Sequence, residues 1–153
     1  MRSTTGVPVS VVWGAVVFTD GSGQVLMLRD TSRHQRWLLP GGVASEGETP
    51  WAAAVRETAE ETGIQLGMAP RLLAVDTLIP RDSRVPMVGF MFDGGVTPAE
   101  IRLSSEHDTY QFAAFDAWPC DVPEEQRHRL ASLQTARQRG VTLYLHNGRV
   151  PNS

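Results

Sequence analysis

The 153-residue chain has a single cysteine, Cys120, which excludes an intrachain disulfide framework and any cysteine-rich zinc site. A reducing, cytoplasmic setting is the expectation. Positive charge is also scarce. At a net charge of −3 there is no broad basic field to draw in nucleic acid or an anionic membrane, so neither is expected as a partner. A polyanionic substrate would instead need a metal ion as intermediary. No apolar run is long enough to span a bilayer. The stretch from Val7 to Phe18 is interrupted by Ser10 and Gly14 and has no convincing cleavage site, so it reads as a strand of the mature protein. Internal repeats, low-complexity tracts and an interdomain linker are missing too.

With 41% apolar and 20% charged residues, the composition is that of an ordinary soluble domain, and the length suits one domain, residues 1–153, with a real core. Valine-rich "VPVSVVWGAVVFTD" and "QVLMLRD", separated by the turn signal "DGSG", predict a hairpin over residues 7–30. "RWLLPGG" runs into a glycine-rich bend. Thr49-Pro50 starts a helix and Gly63 stops it, which predicts a helix over residues 50–62. "RLLAVDTLI", "VPMVGFMFDGG" and the shorter "YQFAAFD" read as strands. "IPRDSRVP" is a loop, residues 123–139 an amphipathic helix, and "VTLYLH" a strand or an ordered tail. Strands at both ends with helices between them make an α/β or α+β sandwich, in which helices cover a mixed sheet.

The helix over 50–62 carries Glu57, Glu60 and Glu61 in "VRETAEETGI", a segment with no lysine to balance them. At about 100° per residue the three carboxylates share one face, and Trp51, Ala52, Val55, Ala59 and Thr62 form the opposite, core-facing stripe. The crowding costs stability twice. Like charges at i and i+4 destabilise a helix by roughly 0.2–0.5 kcal/mol. Anions in the last turn oppose the macrodipole by up to about 1 kcal/mol. Taken alone, such a cluster is a solvated acidic face with Arg56 as partial neutraliser. The functional alternative is a divalent cation, Mg²⁺ or Mn²⁺, which hard oxygen donors suit and which would remove the repulsion.

The preceding residues decide between these readings. In "PGGVASEGETPWAAAVRETAEETGI", Gly42, Glu48, Arg56, Glu57, Glu60, Glu61, Gly63 and Ile64 stand at the spacing of the Nudix hydrolase signature, and the chain resembles that family, including its MutT-like members. Eight of nine specified positions match; the departure is Thr58, at an aliphatic position on the margin of the expected stripe. The resemblance implies a Nudix-type α/β/α sandwich and metal-dependent hydrolysis of a nucleoside diphosphate linked to another moiety. It makes Glu60 and Glu61 metal ligands, and Glu57 either a further ligand or the base that orients water. Arg56 holds a glutamate by ion pairing, and Glu48 ties the loop to the helix. Gly42 and Gly63 are conformational, and the Gly41 carbonyl is a candidate ligand. By the same resemblance Glu106, in "SSEHDTYQFAAFDAW", is a candidate ligand from a loop, with His107 beside it. Arg29 and Trp37 are candidates for contacting phosphate or base, Trp37 with core packing as its alternative.

Pro80, 16 residues beyond Ile64, stands at a spacing similar to that of ADP-ribose-cleaving members, and a nucleoside triphosphate fits equally well. The expected partner is a small nucleotide-type molecule, and a homodimer is allowed. The rival class is a non-catalytic nucleotide or metabolite sensor on the same fold. The intact glutamates favour the enzyme.

Overall fold

The computed structural model describes residues 5–32, 35–79, 85–97, 100–118 and 122–152. Strands β1 (Val11–Thr19) and β2 (Val25–Asp30) form the hairpin, and the Asp20 carboxylate closes its turn by accepting the Ser22 and Gln24 N–H groups. The two strands pair antiparallel where Thr19 meets Val25, beside the turn, and then part company. β1 goes on to pair with β4 (Gly41–Val43), whereas β2 takes β3 (Trp37–Leu38) and β7 (His107–Ala113). The segment read as a glycine-rich bend therefore contains two short strands. At two and three residues, neither is long enough to show a period of two in the sequence.

On the other flank β1 runs parallel to β6 (Met87–Val96). β6 is antiparallel to β5 (Leu72–Leu78), which runs parallel to β8 (Leu143–His146). The sheet order is β3-β2-β1-β6-β5-β8, with β4 on β1 and β7 on β2. β7 begins three residues before the segment expected from sequence. The loop residues 80–84, Pro80 among them, and Cys120 lie outside the described residues.

Alternation along the strands builds two cores. Ala15, Val17, Val25 and Met27 face one side of the sheet, where Leu130, Leu133 and Ala136 of α2 (Glu124–Arg139) cover them. Val16, Phe18, Leu26 and Leu28 face the other, where Ala54 of α1 (Pro50–Thr62) and Ile64 pack. Burial on both faces explains why β1 and β2 read as near-continuous apolar runs. The result is a mixed sheet between helices, an α/β/α sandwich.

Helix α1 has the expected bounds. Thr49 Oγ1 accepts the Ala52 N–H, Pro50 occupies the first turn, and Gly63 takes a left-handed φ of 76° that donates its N–H to the Ala59 carbonyl. Its buried face differs from the expected stripe. Ala53, Ala54, Thr58, Glu61 and Thr62 are buried, Trp51, Val55 and Ala59 are half-buried, and Ala52 is exposed. A wheel built on hydrophobicity turned the helix away from its glutamates. The real contact side includes one of them, because β4 and β7 supply polar partners there. Thr58 is fully buried rather than marginal, and its hydroxyl has no hydrogen-bond partner.

Candidate active site

Arg56 organises the exposed half of the acidic cluster. Its Nε and Nη2 each donate to Glu48 at 2.9 Å, its Nη1 donates to Glu57 at 2.8 Å and to Glu60 at 3.4 Å, and Nη2 also reaches the Val43 carbonyl. Glu48 accepts the Ser45 N–H as well, so one carboxylate joins the loop before α1 to the helix. The Arg56 hydrogen bonds, with the Ser45 N–H, hold the Glu48 carboxyl at about 2. The same contacts, Glu48 first, raise the affinity of Arg56 for its proton. Glu57 lies directly over Gly42: a Cβ at residue 42 would stand 2.5 Å from the Glu57 carboxyl carbon. Glycine is required there by close approach, not by backbone angle.

Glu61 is the opposite case. It is only 3% exposed. Its Oε1 accepts the Gly41 N–H at 3.1 Å, and its Oε2 lies 3.2 Å from His107 Nε2. Burial pushes the carboxyl up to about 8; the Gly41 N–H opposes the rise, while the charges of Glu57, Glu106 and Glu60 add to it. His107 is itself 9% exposed, and burial lowers its affinity for a second proton against the pull of Glu106, Asp30, Asp108 and Glu57.

A cleft of about 440 Å³ opens where β2, β3, β4, α1 and the start of β7 meet, with Glu57, Glu61, Glu106, His107, Gly41 and Gly42 in its wall. The structure thus brings Glu57, Glu61 and Glu106 to one cavity across 50 residues of sequence. It leaves Glu60 outside, with a side chain 59% exposed and held by Arg56, so of the three helix carboxylates only Glu57 and Glu61 line the cleft. Gly41 engages Glu61 through its N–H rather than presenting only a carbonyl. Asp30, Thr31 and Ser32 also line the cleft and were not picked out from sequence. Asp30 is committed locally, accepting from the Ser32 hydroxyl and the Arg36 N–H. The sequence offers His107 only as a neighbour of Glu106, and its burial is visible only once β7 is docked on β2.

Two further candidates stand away from the cleft wall, Trp37 in its alternative role of core packing. Trp37 is 7% exposed, stacks at 6.0 Å on Trp118 and belongs to the core on the α2 side, so its ring does not line the cleft. Arg29 makes a two-pronged ion pair with Asp108 at 2.8 and 2.9 Å and lies over the Trp37 ring. Its guanidinium is engaged by the β2–β7 pairing instead of facing the cavity.

Among the described residues no three His, Cys, Asp or Glu side chains converge as a ready-made cation cage. The donor chemistry nevertheless fits a hard divalent ion. Four carboxylates line one cleft, those of Asp30, Glu57, Glu61 and Glu106, and the most buried of them, Glu61, has the His107 ring as its only ion-pair partner among the described residues. A carboxyl lifted to about 8 by burial, with neighbouring carboxylates adding to the rise, is one whose charged form a cation would favour.

The chain is similar to known proteins in sequence and in fold. The NUDIX domain profile matches residues 9–133. The chain is 27% identical over 121 residues to the asymmetrical bis(5'-nucleosyl)-tetraphosphatase of Rattus norvegicus, covering 75% of this chain and 79% of that protein. It is 41% identical over 56 residues to Nudix hydrolase 6 of Arabidopsis thaliana, a match that takes in 34% of this chain and 20% of the relative. In fold it is similar to a MutT protein from Methanosarcina mazei Go1, with a TM-score of 0.69 at 23% identity over 87% of this chain and 96% of that one.

Proposed function

The chain belongs to the NUDIX domain family, and on that premise we propose that it is a single-domain, divalent-metal-dependent pyrophosphohydrolase. It cleaves a phosphoanhydride in a nucleoside diphosphate linked to a further moiety. The observation that carries this reading is the Glu61 carboxylate, buried beside Glu57 and Glu106 and lifted to about 8. A structural acid would be paired with an arginine, as Glu48 is.

Glu61, Glu57 and Glu106 would hold the ion, with the Gly41 carbonyl as a further candidate. Glu60 would join on releasing Arg56. Bound there, Mg²⁺ or Mn²⁺ supplies Lewis-acid stabilisation of charge on the phosphoryl oxygens and lowers the pKa of water. The protein's own residues do the rest. Arg56 keeps Glu57 aligned over Gly42 as ligand or base, Gly41 and His107 orient Glu61, and Glu106 brings a charge from the far wall. Net negative charge around the site explains why substrate capture relies on the cation rather than on a basic surface.

A second, larger cleft of about 850 Å³ shares Leu38 with the acidic one and is lined by Arg36, Met87, His128 and Arg149 among others. It would accommodate the moiety beyond the diphosphate, apolar walls for a base or sugar and cations for a further phosphate. The rat tetraphosphatase relative makes dinucleoside polyphosphates a substrate class to include first. A cytoplasmic location suits such metabolites, and no helix among the described residues is long and apolar enough to cross a membrane.

The test is a hydrolysis screen over dinucleoside polyphosphates, nucleotide sugars, ADP-ribose and nucleoside triphosphates with Mg²⁺ or Mn²⁺, with products identified. Turnover abolished by chelation and by Glu61→Gln supports the reading. Nucleotide binding without turnover of any of these would favour a sensor, for which the engagement of Glu57 and Glu60 by Arg56 is the supporting observation.

A further inference from the structure

Glu106 and Glu61 come from segments 45 residues apart, and little in the sequence says how the loop and the helix keep their spacing. Several contacts do so, and three of them reach residues of the cleft. Thr31, just past β2, donates its N–H to the Glu106 carbonyl at 2.8 Å and its hydroxyl to the same oxygen at 3.1 Å. The Ser104 N–H donates to the Glu61 carbonyl at 3.3 Å. The third contact joins side chains: His107 Nε2 stands 3.2 Å from Glu61 Oε2, both groups being buried. The other ring nitrogen, Nδ1, is buried without a hydrogen-bond partner. A histidine placed only for stability would be expected to satisfy Nδ1 as well. Here, among the described residues, the one polar side chain against the ring is the Glu61 carboxyl, at Nε2.

We propose that His107 is a positioning residue. Its Nε2–H on one oxygen and the Gly41 N–H on the other clamp the Glu61 carboxylate in the orientation from which it takes a divalent cation, and the same bond locks the Glu106 loop to α1. The assignment rests on the metal reading of Glu61 given above. Two donors on two different oxygens leave each oxygen a free lone pair, so the clamp fixes the carboxylate plane without occupying it. Hydrogen bonding of this kind to a ligating group commonly changes metal affinity by about 10–100-fold when removed. A ring that carries its single proton on Nε2 leaves Nδ1 bare, which matches the missing partner at Nδ1.

The experiment titrates Mn²⁺ into wild type, His107→Phe and His107→Gln, counting free Mn²⁺ by electron paramagnetic resonance, with metal-free melting recorded alongside. Phenylalanine keeps the ring and removes the donor, and should weaken Mn²⁺ binding about ten-fold or more. Glutamine keeps an N–H at a similar reach and should stay within a few-fold of wild type. Wild-type affinity in His107→Phe overturns the positioning role while leaving the metal reading intact. A wild type that takes up no Mn²⁺ overturns both. Should the phenylalanine variant fail to fold, long-range ¹H–¹⁵N spectra of the Mg²⁺-loaded wild type decide: a proton on Nε2 of His107 supports the clamp, and a proton on Nδ1 overturns it.

Discussion

The two helices carry opposite electrostatic designs. Helix α2 has Glu124 and Glu125 in its first turn and Arg137 and Arg139 in its last, which complements its dipole at both ends. Helix α1 has no acid in its first turn and no base in its last, and it ends on Glu60 and Glu61. Each also buries a charged side chain. Arg129 of α2 donates to Asp76 at 2.7 Å, bonds Gln126 and lies 5.3 Å from the Trp13 ring centre, while Asp76 takes the Gly148 N–H on its other oxygen. Glu61 of α1 has a backbone N–H and a histidine. A compensated buried charge ties α2 to β5 and to the turn after β8. The uncompensated one lies at the centre of the proposed metal site. Burial of charge alone says little, and the completeness of its partners is what separates the two roles.

The largest effect should come from breaking the compensated side. Arg129→Met leaves Asp76 buried and without its charged partner and should cost about 3–5 kcal/mol, read by urea unfolding, while the folded fraction retains its kcat and any loss falls on KM, since Arg129 also lines the second cleft. Turnover lost well beyond the unfolded fraction would show that α2 also serves the chemistry.

Next is the uncompensated side. Glu61→Gln should lower kcat by about 10²–10³-fold or more, yet raise the metal-free melting temperature at neutral pH, since glutamine is buried without first having to bind a proton. The pH dependence of wild type sharpens this. Folding lifts the Glu61 pKa from 4.5 to about 8, so between these values the folded state binds more protons than the unfolded one, and metal-free stability should fall as pH rises. His107, whose pKa is lowered from 6.5, acts in the opposite sense below that value, so the fall is cleanest from 6.5 to about 8. Saturating Mg²⁺ or Glu61→Gln should flatten it, as differential melting curves would record. A flat metal-free profile in wild type would place the charge elsewhere.

Gly42→Ala tests the seat of Glu57. The added methyl would collide with the carboxyl, and displacement by about 1 Å should cost up to about 10²-fold in kcat with a smaller change in melting temperature. Unchanged turnover would show that Glu57 is not held there for the chemistry. The smallest effect is expected at Thr58. Thr58→Val removes an unpartnered buried hydroxyl at nearly constant volume and should stabilise by about 1 kcal/mol without altering kcat. A destabilised valine variant would mean the hydroxyl has a partner in solution.

Legibility from sequence followed the range of the interactions involved. The caps of α1, Thr49-Pro50 and Gly63, act within one turn, and its bounds were readable to the residue. The β1–β2 hairpin was readable from its turn. β3 and β4 were not, being defined only by the strands they pair with. Trp37 carried the same residue type whether it lined a cleft or filled a core, and its contact with Trp118 decided the matter. His107 was hidden for the same reason, because its partner Glu61 lies on another element.

By itself, then, the sequence determined the family, the element types and the spacing that places Glu57, Glu60 and Glu61 on one helix, since periodicity, capping and motif spacing are local along the chain. Tertiary structure decided which of those carboxylates is buried, which is held by Arg56, and that Glu106 and His107 stand opposite. Those outcomes depend on desolvation and on partners brought from distant segments. The rotation of α1 against β1 and β4 and the register of β7 on β2 set both, and neither is encoded in any window of a few residues.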